Sequence, residues 1–227
     1  MNQKLAKRVV AEFAGTAFLL AGVVGSGIMG ERLAAGNVAL ALLANTVATS
    51  AVLIALILTF GPISGAHLNP VVTLSFSVRG ETSLHEAAAY ILAQVAGAIS
   101  GVVIANLMFE LPMISLARHS RSGFAQILSE VIATLGLVLI IRIGAKFQPR
   151  TIAFAVGMYI AAAYWFTSST SFANPAVTVA RALSDTFTGI KLADVPAFVL
   201  AQFFGAVAAT ALASWLIKDR GMERKNE

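Results

Sequence analysis

Two asparagine–proline pairs carry most of the chemistry in this sequence. Asn69-Pro70-Val71-Val72-Thr73 and Asn174-Pro175-Ala176-Val177-Thr178 stand 105 residues apart, each inside an apolar stretch. Asparagine is a favoured helix N-cap, and proline suits the first helical position, where its missing N–H costs nothing. Each pair therefore predicts a short helix starting at its asparagine. An asparagine that caps with its side-chain oxygen keeps its amide N–H groups for another acceptor. The chemistry on offer is hydrogen-bond donation, not nucleophilic attack. Just upstream of the second pair, Ser168, Ser169, Thr170 and Ser171 add hydroxyls and carbonyls.

Two carboxylates repeat in the same way. Glu12-x-x-x-Thr16 and Glu130-x-x-x-Thr134 lie 118 residues apart in otherwise apolar runs. An ionisable group in such a run suggests function by default. They could carry protons in a coupled transporter, or accept hydrogen bonds from the non-helical backbone leading to the nearby asparagine. The symmetry of the pair favours the second, structural role. His67, two residues before Asn69, could gate by protonation or tie its loop to a neighbouring helix, and the tie is the simpler reading. His85 and His119 fall near the ends of apolar runs and read as surface. Cysteine is absent, no His/Asp/Glu cluster has metal-ligand spacing, and no Ser/His/Asp arrangement is apparent. No cofactor, metal or catalytic centre is expected.

The elements that must position these residues are membrane helices. Of 227 residues 58% are hydrophobic and 12% charged, against about 25% charged in an average soluble domain. A net charge of +5 without a Lys/Arg block argues against a nucleic-acid partner and points to the lipid bilayer. Apolar spans run over about 5–29, 38–60, 84–108, 124–141, 151–166 and 195–217, each expected to cross the hydrocarbon as a helix. Residues 63–80 and 168–185 are too apolar for ordinary loops and too short to cross, so they read as re-entrant half-helices. Ala93-Gln94-x-x-Gly97-Ala98 and Ala201-Gln202-x-x-Gly205-Ala206 repeat at a separation of 108. With three spans per half, the second half must enter upside down, an inverted repeat of about 1–110 and 120–227 in a single domain. The expected fold is an all-α membrane protein of six transmembrane helices plus two half-helices meeting near the midplane by their N-termini. Those two dipole ends oppose cations, while the asparagines remain donors to a neutral hydroxylated solute. Placing Lys4, Lys7, Arg8, Arg79, Arg142, Lys146, Arg150, Lys218, Arg220, Arg224 and Lys225 inside leaves only Arg32, Arg118, Arg121, Arg181 and Lys191 outside. Both termini are thus expected in the cytoplasm.

The stretches SGAHLNPVVT and FANPAVT, with the Glu12 and Glu130 segments, resemble the major intrinsic protein family of aquaporins and aquaglyceroporins over nearly the whole chain. The resemblance implies a passive multi-pass channel of the plasma (inner) membrane, not an enzyme, assembled as a homotetramer with one pore per protomer. It also implies that Asn69 and Asn174 are the pore donors, and that Pro70 and Pro175 stack the half-helices. Val71 replaces the usual alanine, adding methyls near the constriction, whereas Ala176 keeps the family residue. Gly97, Gly101, Gly205 and Ala209 provide small-residue faces, expected to support the tetramer.

By the same resemblance, a second constriction comprises four positions: Thr49, Ala162, Ser171 and Val177, where Val177 stands in place of the usual arginine. Four small side chains without an aromatic or a cation imply a wide, uncharged opening. Such a pore suits solutes larger than water, and the missing arginine resembles the bacterial arsenic-resistance branch, implying arsenite (arsenous acid) and methylated arsenicals beside glycerol and water. Arg181 is expected to be surface charge or an i+4 partner of Asp185, or else to draw anionic arsenicals into the outer vestibule. A general glycerol, urea or water channel is the alternative. An ion-coupled transporter would need coupling groups at the midplane, where only asparagine is expected, and an adhesive junction protein is disfavoured by short loops.

Overall fold

Helix starts follow the capping residues. In the computed structural model, which describes residues 3–223, the Asn37 side chain accepts from the Leu40 N–H and that of Ser83 from the Glu86 N–H, opening α2 (Val38–Ser64) and α4 (Leu84–Met108). Asn69 and Asn174 open α3 (Pro70–Ser77) and α7 (Pro175–Arg181) in the same way, each with proline at the first helical position. The remaining helices are α1 (Gln3–Leu33), α5 (Phe124–Phe147), α6 (Ile152–Phe166) and α8 (Val195–Glu223), and no strand occurs among the described residues. Arg224 and Lys225, two of the expected cytoplasmic cations, lie outside the described residues.

Five helices are long and apolar enough to cross a membrane. The span expected at 151–166 forms α6, the shortest of the six at 15 residues, about 22 Å at 1.5 Å per residue. It stops because Thr167 is extended (φ −113°, ψ 139°) and the chain turns back into the bundle. The half-helices are likewise compact, with eight residues in α3 and seven in α7.

Packing repeats between the halves. Helix α1 packs on α2 and α4, and α5 correspondingly on α6 and α8, while α3 and α7 each lie against both α4 and α8 and touch one another. Close approach of the long helices rests on glycine. A Cβ at Gly97 would run into the Phe13 carbonyl, one at Gly101 into that of Ala17, and one at Gly205 into that of Val131. Ala209 is fully buried. These small residues are therefore consumed inside one chain, which corrects their assignment to a tetramer interface: the backbone of a neighbouring helix already occupies the space. The outer surface is instead a belt of large apolar side chains, among them Phe18, Leu43, Leu92, Phe154, Phe204 and Trp215, as lipid contact demands.

Ion pairs sit at the two ends. Glu86 pairs with Arg8 and Glu81 with Arg142 on the face shared by the termini, and Asp185 with Arg118 on the opposite face. The Arg118 N–H and guanidinium hold the Asp185 carboxyl below the ordinary carboxylate range. This replaces the expected Arg181–Asp185 pair.

Candidate functional site

The site forms where the loops before α3 and α7 meet. Both loops contain side-chain-bearing residues in the left-handed region: Ala66 and Leu68 at φ 46° and 48° in one, Thr170, Ser171 and Ala173 at 60°, 51° and 48° in the other. Each such residue costs about 1–2 kcal/mol. The buried glutamates offset this. Glu12 accepts from the N–H groups of His67 (2.9 Å) and Leu68 (2.7 Å), from Ser64 Oγ (2.6 Å) and from Gln94 Nε2 (2.8 Å). Glu130 accepts from the N–H groups of Phe172 and Ala173 (both 2.9 Å), from Ser169 Oγ (2.6 Å) and from Gln202 Nε2 (2.6 Å). Hydrogen bonds to a charged group contribute about 1.5–3 kcal/mol each, and four of them hold each strained loop in place.

Gln94 and Gln202 complete the symmetry by donating also to Thr73 and Thr178, inside the two asparagine–proline motifs. Their part as braces was not read from the sequence, although their common separation in the repeat was a signal.

The loops are then stitched to each other. Asn69 Nδ2 donates to the Ala173 carbonyl and Asn174 Nδ2 to the Leu68 carbonyl, both at 2.8 Å. Their Oδ1 atoms cap α3 and α7, accepting from Val71 N–H and from Ala176 and Val177 N–H. Each amide carries two N–H donors, so one remains without a protein partner among the described residues on each asparagine. Both asparagines line a narrow cavity of about 70 Å³. Its walls are otherwise largely apolar, from Leu19, Val23, Leu53, Ile57, Val72, Val156 and Ile160.

The remaining sequence-predicted residues fall as follows. Thr49, Ser171 and Val177 line this cavity together, and the Ser171 hydroxyl has no partner among the described residues. Ala162 does not join them. It is exposed on the far side of α6, while Ile160 and Tyr164 face the cavity. At about 100° per residue, a two-residue offset turns a side chain to the opposite face. Val71 is also corrected: it is fully buried against Val138, Ala206 and Ala209, and Val72 is the residue that lines the cavity. Pro70, Pro175 and Ala176 are buried. His67 borders the cavity, meets Thr73 Oγ1 at 3.2 Å and stacks on Phe76 at 4.8 Å, so the ring is tied in place.

The expectation of an outer region without aromatic or cation is overturned. Tyr164 and Phe172 line the cavity, with the Tyr164 hydroxyl 3.3 Å from Thr49 Oγ1. Arg181, one helical turn beyond Val177, lines it too; it is 2% exposed, and its guanidinium carbon lies 3.4 Å from the Phe172 ring centre. Its Nε donates to the Thr188 carbonyl rather than to Asp185. Arg121, expected only on the outer side, is also buried, and ties the loop by donating to the carbonyls of Gly189 (2.8 Å) and Ser169 (3.2 Å). The sequence sets Arg181 apart by its place one turn beyond Val177, whereas nothing in it separates Arg121 from the other exterior cations.

A bundle of membrane helices with two capped half-helices meeting at a lined cavity is the architecture of a membrane channel, and the chain belongs to the major intrinsic protein family, whose model matches residues 1–148 and 142–226. It is an integral, multi-pass membrane protein and not an enzyme. It is 52% identical over 214 residues to aquaglyceroporin AqpS of Rhizobium meliloti (strain 1021), covering 94% of this chain and 91% of that protein. It is 30% identical to aquaporin NIP1-4 of rice (Oryza sativa subsp. japonica), covering 97% and 80%. The X-ray structure of the aquaglyceroporin from Plasmodium falciparum superposes with a TM-score of 0.70 at 20% identity, covering 93% and 95%; that likeness concerns the fold.

Proposed function

We propose that this chain is an aquaglyceroporin-type channel for water, glycerol and related small neutral solutes, arsenous acid among them. One observation carries the reading. Asn69 and Asn174 each keep an unpartnered amide donor at a narrow cavity with mostly apolar walls, beside two half-helix N-termini. A neutral hydroxylated solute exchanges its water hydrogen bonds for those donors. A cation meets two positive dipole ends instead. Similarity to a protein called an aquaglyceroporin supports the substrate class. Arsenous acid is an uncharged trihydroxy molecule with glycerol-like hydroxyl display, and the short side chains of Thr49, Ser171 and Val177 favour its passage.

The same reading makes residues 1–227 one channel domain of two inverted halves. It sits in the plasma (inner) membrane as a homotetramer with one pore per chain, both termini cytoplasmic. Stopped-flow measurements on proteoliposomes, with water, glycerol, urea and arsenous acid in turn, test it. The expected result is saturation-free swelling in all four, unaffected by proton or sodium gradients. Uptake that requires an ion gradient points instead to a coupled transporter.

A further inference from the structure

Beyond the constriction, on the face opposite the termini, lies a second cavity of about 210 Å³. Arg181 lines both cavities, and Arg121 lines the outer one. The two guanidinium carbons lie 3.4 and 5.0 Å from the centre of the same ring, Phe172. Arg181 is 2% and Arg121 8% exposed, yet neither guanidinium meets a carboxylate among the described residues. Asp185 is taken by Arg118, Asp194 accepts from the Arg121 backbone N–H and Ser120, and Glu130 spends its oxygens on the loop and Gln202. Burial holds the Arg121 guanidinium down to about 10, so it remains charged at neutral pH.

Arg121 is partly satisfied by carbonyls, whereas Arg181 uses only Nε. Its two Nη groups have no protein partner among the described residues. Buried cations without counter-ions are costly, and a guanidinium fork matches two oxygens of an oxyanion. Gln126 and Thr170 add neutral polar groups to the same cavity.

We propose that this vestibule is a binding site for a small oxyanion, held by the Arg181 fork with Arg121 beside it. Inward of Arg181 the passage narrows to the cavity of about 70 Å³, whose walls are largely apolar. The anion therefore stops at the mouth and obstructs it. This occupancy regulates flux through the channel proposed above, and that part rests on the channel reading.

Two arms test the proposal, both with inorganic phosphate at fixed ionic strength against chloride. Calorimetric titration of the purified full-length chain is expected to give saturable binding, about one phosphate per chain. Glycerol-driven swelling of proteoliposomes is expected to slow to a plateau as phosphate rises. In Arg181→Gln, the phosphate needed for half-saturation rises at least tenfold. Arg181→Lys keeps the charge but loses the fork, and falls between; it also serves should the glutamine variant not fold. Absence of phosphate heat with the unaltered chain, or equal affinity in the Arg181 variants, overturns the site. Arg181-dependent binding without glycerol flux leaves the site standing and overturns the channel reading.

Discussion

Glu12 and Glu130 are counterparts: each carboxylate accepts two successive backbone N–H groups, one serine hydroxyl and one glutamine amide. Every acceptor is aimed at the loop beside it, and neither carboxylate lines the cavity. This is the geometry of a brace, and it leaves no lone pair turned toward a proton path.

Glu12→Gln and Glu130→Gln should therefore destabilise the protein. An amide presents N–H where an acceptor is required, and the loss of a charged hydrogen bond costs about 1.5–3 kcal/mol. Thermal unfolding of the purified variants in detergent measures this. Undiminished stability with altered proton flux would return these residues to the role of proton carriers.

Asn174→Asp should disturb both stability and ion exclusion. A carboxylate cannot donate to the Leu68 carbonyl, which Asn174 now meets at 2.8 Å, and it sets a negative charge where two helix N-termini converge. Planar-bilayer recording is expected to show a cation leak absent from the parent protein, or the variant fails to accumulate. A folded variant with full glycerol flux and no leak contradicts the pore assignment. Asn69→Asp is expected to behave alike, through the Ala173 carbonyl.

Val177→Arg tests the constriction. Val177 lines the cavity one turn from Arg181, so the variant crowds a second guanidinium into the same passage. Glycerol and arsenous acid fluxes should fall more than tenfold, equivalent to about 1.4 kcal/mol in barrier, while water flux falls less. Adding Arg181→Ala should recover part of the loss. Unchanged arsenous acid flux at equal protein per liposome would remove Val177 from the filter.

Two glycines should respond in opposite directions. At Gly101 an added side chain meets the Ala17 carbonyl and Leu20, so Gly101→Val forces α1 and α4 apart. Overpacking of this kind typically costs about 1–3 kcal/mol. Gly61 has open space at the Cβ position within α2, and Gly61→Ala should stabilise by up to about 1 kcal/mol. Paired thermal unfolding curves decide both.

Features encoded by local chain chemistry were legible in the sequence. Asparagine before proline specifies a capped helix start wherever it occurs, long apolar runs specify membrane helices, and the doubled motifs with Glu12 and Glu130 disclosed the repeat. Thr49, Ser171 and Val177 were located through the family resemblance, which says where to count from those motifs, and they do share a cavity. Counting failed at Ala162, because an offset of two residues reverses a helix face and the register of α6 against the loops is fixed by packing. It failed too at Gly97 and Gly101, whose spacing permits close approach without naming the partner; tertiary contact assigned them to α1. Charge was the least legible property. Arg118 and Arg121 are equivalent in sequence and Arg181 stands apart only by its place one turn beyond Val177, yet Arg118 alone of the three is exposed and paired with Asp185, while the others are buried over Phe172. A long flexible side chain reaches several ångströms in any direction, so where its charge ends up depends on the ring and carbonyls that three separate loops bring together.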